Sequence, residues 1–285
     1  MSQFEDRYWS SQDGLRLHYR EYAGPADKLP VLCLHGLTRN ARDFEELAPH
    51  LAGGRRVICP DMRGRGDSAY AKVSATYNPI QYVQDVGLLL EEAGIDRFIS
   101  IGTSMGGLMT LLMGFTMADR VAATCFNDVG PELELSGIDR ILSYLGQGRN
   151  FPTWMHAARA LEETHGAAFP DWELDRWLVM AKRVMMLSGN GRIVFDYDMK
   201  IAEPFREIDF KEQPDLWPGF TALAAKPMLV LRGELSDLFS VASFARMGER
   251  AAKAELVTVP RVGHAPTLDE PEAIAAIERL LARVD

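Results

Sequence analysis

Short apolar or β-branched runs alternate with longer stretches whose apolar residues recur at helical spacing, beginning near Pro30 and resuming toward the C-terminus. The runs at 30–34, 56–60, 97–101, 121–126, 227–231 and 255–259 read as strands. The stretches at 41–51, 80–93, 108–117, 241–252 and 272–283 read as helices, and Gly94 closes the second of them. Strands that are apolar on both sides, bounded by turn residues and separated by helices, pair in parallel and are covered on both faces, so the fold class is α/β. The start of the chain differs. Tyr8-Trp9-Ser10-Ser11 and Leu15-Arg16-Leu17-His18-Tyr19 flank Asp13-Gly14, which predicts an antiparallel hairpin at the sheet edge.

Between Pro131 and Trp217 the strand rhythm stops. Trp154, Trp172, Trp177, Met155, Met180, Met185, Met186 and Met199 fall mostly at helical spacing, interrupted by Gly189-Asn190-Gly191 and Pro204. This pattern predicts an all-helical insertion, residues 131–217, lying as a lid over the strand ends of a core built from 1–130 and 218–285. Helices bury an apolar stripe whatever their function, so most of these Met and Trp side chains are expected to pack within the lid itself.

The sharpest local signal is Gly102-Thr103-Ser104-Met105-Gly106-Gly107, between a predicted strand and a predicted helix. A strand-to-helix turn this tight strains the residue at its tip and leaves no room for side chains two positions to either side. Gly102 and Gly106 meet that demand, and the Ser104 hydroxyl is left projecting from the strand end as a candidate nucleophile.

Further motifs follow other predicted strands: Leu34-His35-Gly36-Leu37, then Asp61-Met62-Arg63-Gly64-Arg65-Gly66, later Arg232-Gly233-Glu234-Leu235-Ser236-Asp237, and finally Gly263-His264-Ala265. With the serine turn they stand in the order found in α/β-hydrolase fold enzymes, and the chain resembles that superfamily over nearly its whole length. The resemblance implies a mostly parallel eight-stranded sheet with helices on both faces, hydrolytic chemistry, and a nucleophile, acid and histidine in that order along the chain.

A serine hydroxyl needs a base to take its proton, and imidazole titrates close to working pH. His264, after the last predicted strand, is the candidate. His18 lies in the early hairpin, His50 at a helix end, and His156 and His165 in the lid, while the resemblance gives His35 a structural hydrogen-bonding role. The carboxylate that orients the imidazole is expected at another strand end. Asp237 ranks first by its place in the resembling fold, Asp128 second because some relatives carry the acid after an earlier strand, and Glu234 third. By the same resemblance the oxyanion is received by the backbone N–H groups of Leu37 and Met105, whose side chains face an acyl pocket. The stretch from Asp61 to Ser68 is rich in glycine and arginine but lacks the Lys-Ser/Thr ending of a phosphate loop, so it reads as a supporting turn.

Charge and composition narrow the partners. A net charge of −9 opposes binding to nucleic acid or anionic lipid, and 47% hydrophobic with 25% charged residues describes an ordinary globular chain of 285 residues. Cys33, Cys59 and Cys125 each sit in an apolar run, without zinc-ligand spacing, which fits a reducing cytoplasm. Met1 to Asp6 lack the features of a signal peptide, and no segment offers the ~18 apolar residues of a membrane span. The expected activity is that of a serine hydrolase cleaving an ester or lactone of a small to medium, largely apolar substrate through an acyl-enzyme, with no cofactor or metal. A carbon–carbon bond hydrolase acting on a vinylogous diketone is the alternative, and a slow or non-catalytic ligand sensor on the same fold is the alternative of another class.

Overall fold

In a computed structural model of the chain, residues 4–284 are described; Met1 to Gln3, part of the stretch read for a signal peptide, lie outside them. The chain opens with an antiparallel hairpin, β1 (Glu5–Ser10) and β2 (Arg16–Tyr22), and continues through β3 (Val31–Leu34), α1 (Leu47–Ala52), β4 (Val57–Pro60), α2 (Pro79–Glu92), β5 (Phe98–Thr103), α3 (Met105–Thr116) and β6 (Val121–Asn127). Then come α4 (Leu135–Tyr144), β7 (Asn150–Phe151), α5 (Trp154–His165), α6 (Leu174–Val184), β8 (Met185–Leu187), β9 (Ile193–Phe195), α7 (Ala202–Arg206) and α8 (Trp217–Leu223). The last elements are β10 (Met228–Gly233), α9 (Val241–Arg250), β11 (Ala254–Val259) and α10 (Pro271–Leu281).

The main sheet has eight strands in the order β1-β2-β4-β3-β5-β6-β10-β11. Only β1 with β2 and β2 with β4 pair antiparallel. Period-two alternation sorts the strand residues between two apolar layers. Val31, Cys33, Ile99, Ile101, Leu229 and Leu231 enter one, while Leu32, Leu34, Ile58, Phe126 and Val230 enter the other. All three cysteines are buried and unpaired, so each behaves as a small apolar core residue. No helix among the described residues is long and apolar enough to cross a membrane.

Two helices differ from their sequence expectation. The expected helix at 41–51 divides into a 3-10 turn, Ala41–Phe44, and α1. The helix expected from 108 begins at Met105, because Gly106 and Gly107 contribute no apolar signal to the first turn. The insertion between β6 and β10 is not all-helical as its spacing suggests. It contains a three-stranded antiparallel sheet, β7-β9-β8, with Gly189-Asn190-Gly191 in the turn joining β8 to β9. Those strands are two or three residues long, too short for alternation to emerge from the helical pattern around them.

The insertion is well tied to the core. Phe169, Trp172 and Trp177 pack ring on ring within it, and Trp177, Met180 and Leu161 extend one of the apolar layers. Ion pairs cross the boundary from Arg176 to Asp269, Arg183 to Glu45, Arg42 to Asp196 and Arg140 to Asp237. The parallel strands all point one way, so the residues that follow β3, β5, β6, β10 and β11 gather at one rim beneath the insertion.

Candidate active site

Ser104 sits at the turn between β5 and α3 with φ 52° and ψ −114°, a backbone conformation that costs an L-residue energy and is tolerated where surroundings enforce it. Here they do. A Cβ on Gly102 would meet the Gly106 carbonyl carbon at 2.5 Å, and one on Gly106 would meet the Leu34 carbonyl oxygen at 2.1 Å. The two glycines let β3, β5 and α3 close around the serine, as the motif requires.

The His264 ring lies against this serine, with Nε2 2.8 Å from Ser104 Oγ. Its loop is pinned from below by Asn127, whose Nδ2 donates to the Pro266 carbonyl at 2.8 Å, and from above by the Ala168 carbonyl, which accepts from Gly263 N–H at 2.6 Å. The other ring nitrogen, Nδ1, is 2.8 Å from Oδ2 of Asp128. Asp128 is fully buried at the end of β6, and its carboxylate also accepts from the Gly233 amide at 2.8 Å and the Ser236 hydroxyl at 2.6 Å. Three donors fix the orientation of the carboxylate, and the Nδ1–H tautomer it selects leaves Nε2 as the acceptor for the serine proton.

Asp237, ranked first from sequence, does not meet His264. Its carboxylate is engaged by the Arg140 guanidinium of α4 through Nε at 2.5 Å and Nη2 at 2.8 Å. Burial alone would raise its pKa, but this fork outweighs it and holds the carboxyl below the ordinary range. Asp237 is therefore a link between β10 and the insertion, and Asp128, the second-ranked candidate, is the acid beside the imidazole. Glu234 is exposed and accepts from the Arg261 amide.

The turn after β3 lies beside the serine: the point where a Gly36 Cβ would stand is 3.8 Å from Ser104 Cβ. His35 is fully buried and braces this turn, Nδ1 donating to the Gly36 carbonyl at 2.7 Å while Nε2 accepts from Met62 N–H at 3.1 Å. Burial, reinforced by the nearby Arg65 cation, pushes its pKa down to about 4 despite the bond to Gly36, so the ring is neutral, as this donor and acceptor pattern requires. Arg65, also fully buried, donates from Nε to the Leu37 carbonyl at 2.9 Å and from Nη1 to Arg63 O and Tyr82 Oη at 2.8 Å each. The Asp61–Ser68 stretch is thus a support for the Leu37 turn.

Among the described residues neither the Leu37 nor the Met105 N–H has an acceptor, and Met105 is the first residue of α3, where helical N–H groups lack intrahelical partners. Of the two side chains, only Leu37 lies where the resemblance puts it. Leu37 faces the cavity, whereas the buried Met105 packs its sulfur against Arg65.

A cavity of about 250 Å³ opens over Ser104 and His264 between the core and α4, α5 and α6. Its walls are mixed rather than largely apolar. Leu161, Phe169 and Phe195 share it with Arg39, Tyr144, Arg149 and His165. Sequence reasoning missed these polar residues, since their spacing carries no sign of which side chains turn inward. The His165 ring meets Tyr144 edge-on at 5.0 Å, and burial together with the Arg39 and Arg140 charges lowers its pKa to about 3.

The described residues with metal-ligand spacing are His18, Asp61 and Asp67. The His18 ring is already occupied at Nδ1 by Asp61 at 2.7 Å and at Nε2 by Asp6 at 2.9 Å, and Asp61 also receives the Ala41 and Asp67 amides, so the group is a hydrogen-bonded brace.

Known proteins share this arrangement of chain and sheet. A family model described as the alpha/beta hydrolase family matches residues 31–277. A 3-hydroxybutyrate-oligomer hydrolase of Cupriavidus necator is 35% identical over 267 residues, covering 91% of this chain and 90% of that protein. A 2-(acetamidomethylene)succinate hydrolase of Mesorhizobium japonicum is 24% identical over 242 residues, 85% of this chain and 84% of that one. A crystal structure of an alpha/beta hydrolase from Novosphingobium aromaticivorans superposes with a TM-score of 0.96 at 60% identity, with 100% of each chain covered. Sheet order, serine turn and relatives agree: the chain belongs to the alpha/beta hydrolase family.

Proposed function

We propose that the protein is a serine hydrolase that cleaves a short carboxylic ester through an acyl-enzyme, with Ser104 as nucleophile, His264 as general base and acid, and Asp128 as the carboxylate that orients it. The observation that carries this reading is the unbroken hydrogen-bonded line Ser104 Oγ, His264, Asp128 at 2.8 Å per contact beneath a closed-in cavity. The Cupriavidus relative supports the bond type, because hydroxy acids oligomerise through ester linkages.

In the first step Ser104 Oγ bonds to the ester carbonyl carbon as its proton passes to His264 Nε2, and the carbonyl oxygen becomes an anion received by the Leu37 and Met105 N–H groups. Collapse breaks the carbon–oxygen bond to the alcohol, which takes the proton from Nε2 as it leaves. Water then gives a proton to His264 and adds to the acyl carbon, and a second collapse returns that proton to Ser104 and frees the acid. Asp128 takes no proton in either step and stabilises the imidazolium.

The test is labelling with a fluorophosphonate, alongside hydrolysis of p-nitrophenyl acetate and butyrate. Both are expected in the native protein and absent in Ser104→Ala. An unlabelled native protein would favour the ligand-sensor alternative, and turnover of a vinylogous diketone without ester turnover would replace the ester reading.

A further inference from the structure

The cavity over Ser104 has a charge pattern opposite to that of the whole chain. The protein carries a net charge of −9, yet among the described residues no aspartate or glutamate lines this cavity, while Arg39 and Arg149 do. The nearby carboxylates are already committed. Asp128 is behind His264, and Asp237 is forked by Arg140. Asp43 touches Arg39 through a single Nη1 contact at 3.2 Å, which leaves the rest of a planar five-donor group for another partner. Arg149 extends over the Phe151 ring, and among the described residues no carboxylate pairs with it.

Arg39 also sits close to the chemistry. The point beside Gly36 that lies 3.8 Å from Ser104 Cβ is 3.4 Å from Arg39 Cγ, so the Arg39 stem crosses the same turn that carries Leu37 N–H. Its guanidinium rests on Met180 of α6, in the wall of the cavity. An apolar ester would leave these donors partly desolvated without an acceptor, whereas a carboxylate a few bonds from the scissile carbonyl would satisfy them with charge-assisted bonds.

We propose that the cavity selects esters bearing a free carboxylate, with Arg39 as the main carboxylate-binding residue and Arg149 as a second cation at the exposed side. This rests on the serine-hydrolase reading only for the word ester; the recognition itself is a binding property. The names of two relatives, a hydroxy-acid oligomer hydrolase and a substituted succinate hydrolase, accord with it.

The experiment separates recognition from catalysis. The linear dimer of 3-hydroxybutyrate and its methyl ester, which differ by one negative charge, are titrated calorimetrically into the Ser104→Ala protein. The free acid is expected to bind at least about tenfold more tightly, and that preference should be largely abolished, falling toward unity, on adding Arg39→Gln. Arg39→Lys, which keeps the charge but not the fork, should restore part of it, and Arg149→Gln should reduce it more modestly. Should Arg39→Gln unfold, the Arg149→Gln protein and the salt dependence of the native preference decide the same question. Equal binding of acid and methyl ester, or a preference unmoved by both arginine changes, would overturn the proposal. Either result is independent of fluorophosphonate labelling, which tests the catalytic reading alone.

Discussion

Asp128 Oδ2 lies 2.8 Å from His264 Nδ1, across two strand ends that are 136 positions apart in sequence. The carboxylate is completely buried, and its remaining capacity is filled by Gly233 N–H and Ser236 Oγ. An amide in its place keeps the volume but presents either a carbonyl or an NH2 to the ring, and it cannot stabilise imidazolium. Asp128→Asn should therefore lower kcat by about 10³–10⁴ fold, by analogy with triad acids elsewhere. Asp237→Asn severs only the Arg140 link and should change kcat less than about tenfold. Steady-state kinetics of the two variants on p-nitrophenyl butyrate decide the matter, and a greater loss in Asp237→Asn would reverse the assignment.

Arg65 braces the Leu37 turn from outside the cavity over Ser104. It holds the Leu37 carbonyl, and the peptide on the other side of that residue carries the N–H assigned to the oxyanion. Arg65→Lys retains the charge but cannot reach Leu37 O, Arg63 O and Tyr82 Oη together. The expected signature is a kcat reduced by about tenfold or more with KM nearly constant, since the oxyanion contact strengthens only in the transition state. A thermal melt run in parallel keeps loss of fold apart from loss of alignment. A KM rise at constant kcat would show that Arg65 acts on binding instead.

Much of this was legible in the sequence. The α/β class, the edge hairpin, the serine turn and the candidacy of His264 all follow from short-range patterns that local chemistry enforces: short continuous apolar runs between helical stretches, Asp13-Gly14, and glycines flanking Ser104 where a Cβ would collide with backbone. The acid was not legible to the same degree. Asp128 and Asp237 both follow apolar strands, and what separates them is long-range, because Arg140 of the insertion captures one and the His264 loop descends onto the other. The cavity's polarity was hidden for a related reason. Arg39 occupies a loop and Arg149 the approach to β7, where no periodicity tells an inward side chain from an outward one.

Two buried histidines give stability opposite dependences on pH. Burial alone would lower the pKa of His18, but its bonds to Asp61 and Asp6 prevail and raise it. The folded state therefore holds this proton more tightly than the unfolded chain. Its stabilisation is complete below about pH 6.5, the unfolded value, and is lost as pH rises through the raised folded value. His35, lowered to about 4, behaves in the opposite sense: its contribution is full above 6.5 and is lost as pH falls toward 4, by about 3 kcal/mol for a shift of this size. Urea midpoints measured from about pH 4 to 9 should show a flatter alkaline limb in His18→Gln and a flatter acid limb in His35→Gln. Unchanged limbs in both variants would refute the linkage.

Gly106 is the position where fold and function are hardest to separate, because it closes the serine turn against a central strand. A methyl group there would lie 2.1 Å from the Leu34 carbonyl oxygen and 2.7 Å from Leu34 Cβ, both belonging to β3, so relief requires moving a central strand rather than rotating a side chain. Gly94, by contrast, has nothing within 4 Å of its Cβ position, and its demand is only a φ of +65° after α2. Gly94→Ala is accordingly expected to cost about 1 kcal/mol and leave turnover intact. Gly106→Ala should cost about 3 kcal/mol or more, at or beyond the upper end of ordinary core overpacking because the clash is with backbone, and any protein that still folds should fail to label with a fluorophosphonate because Ser104 is displaced from His264 Nε2. Chemical denaturation with labelling of the folded fraction checks both halves, and a well-folded, fully labelled Gly106→Ala protein would mean that β3 and α3 do not approach each other closely enough to exclude a methyl group.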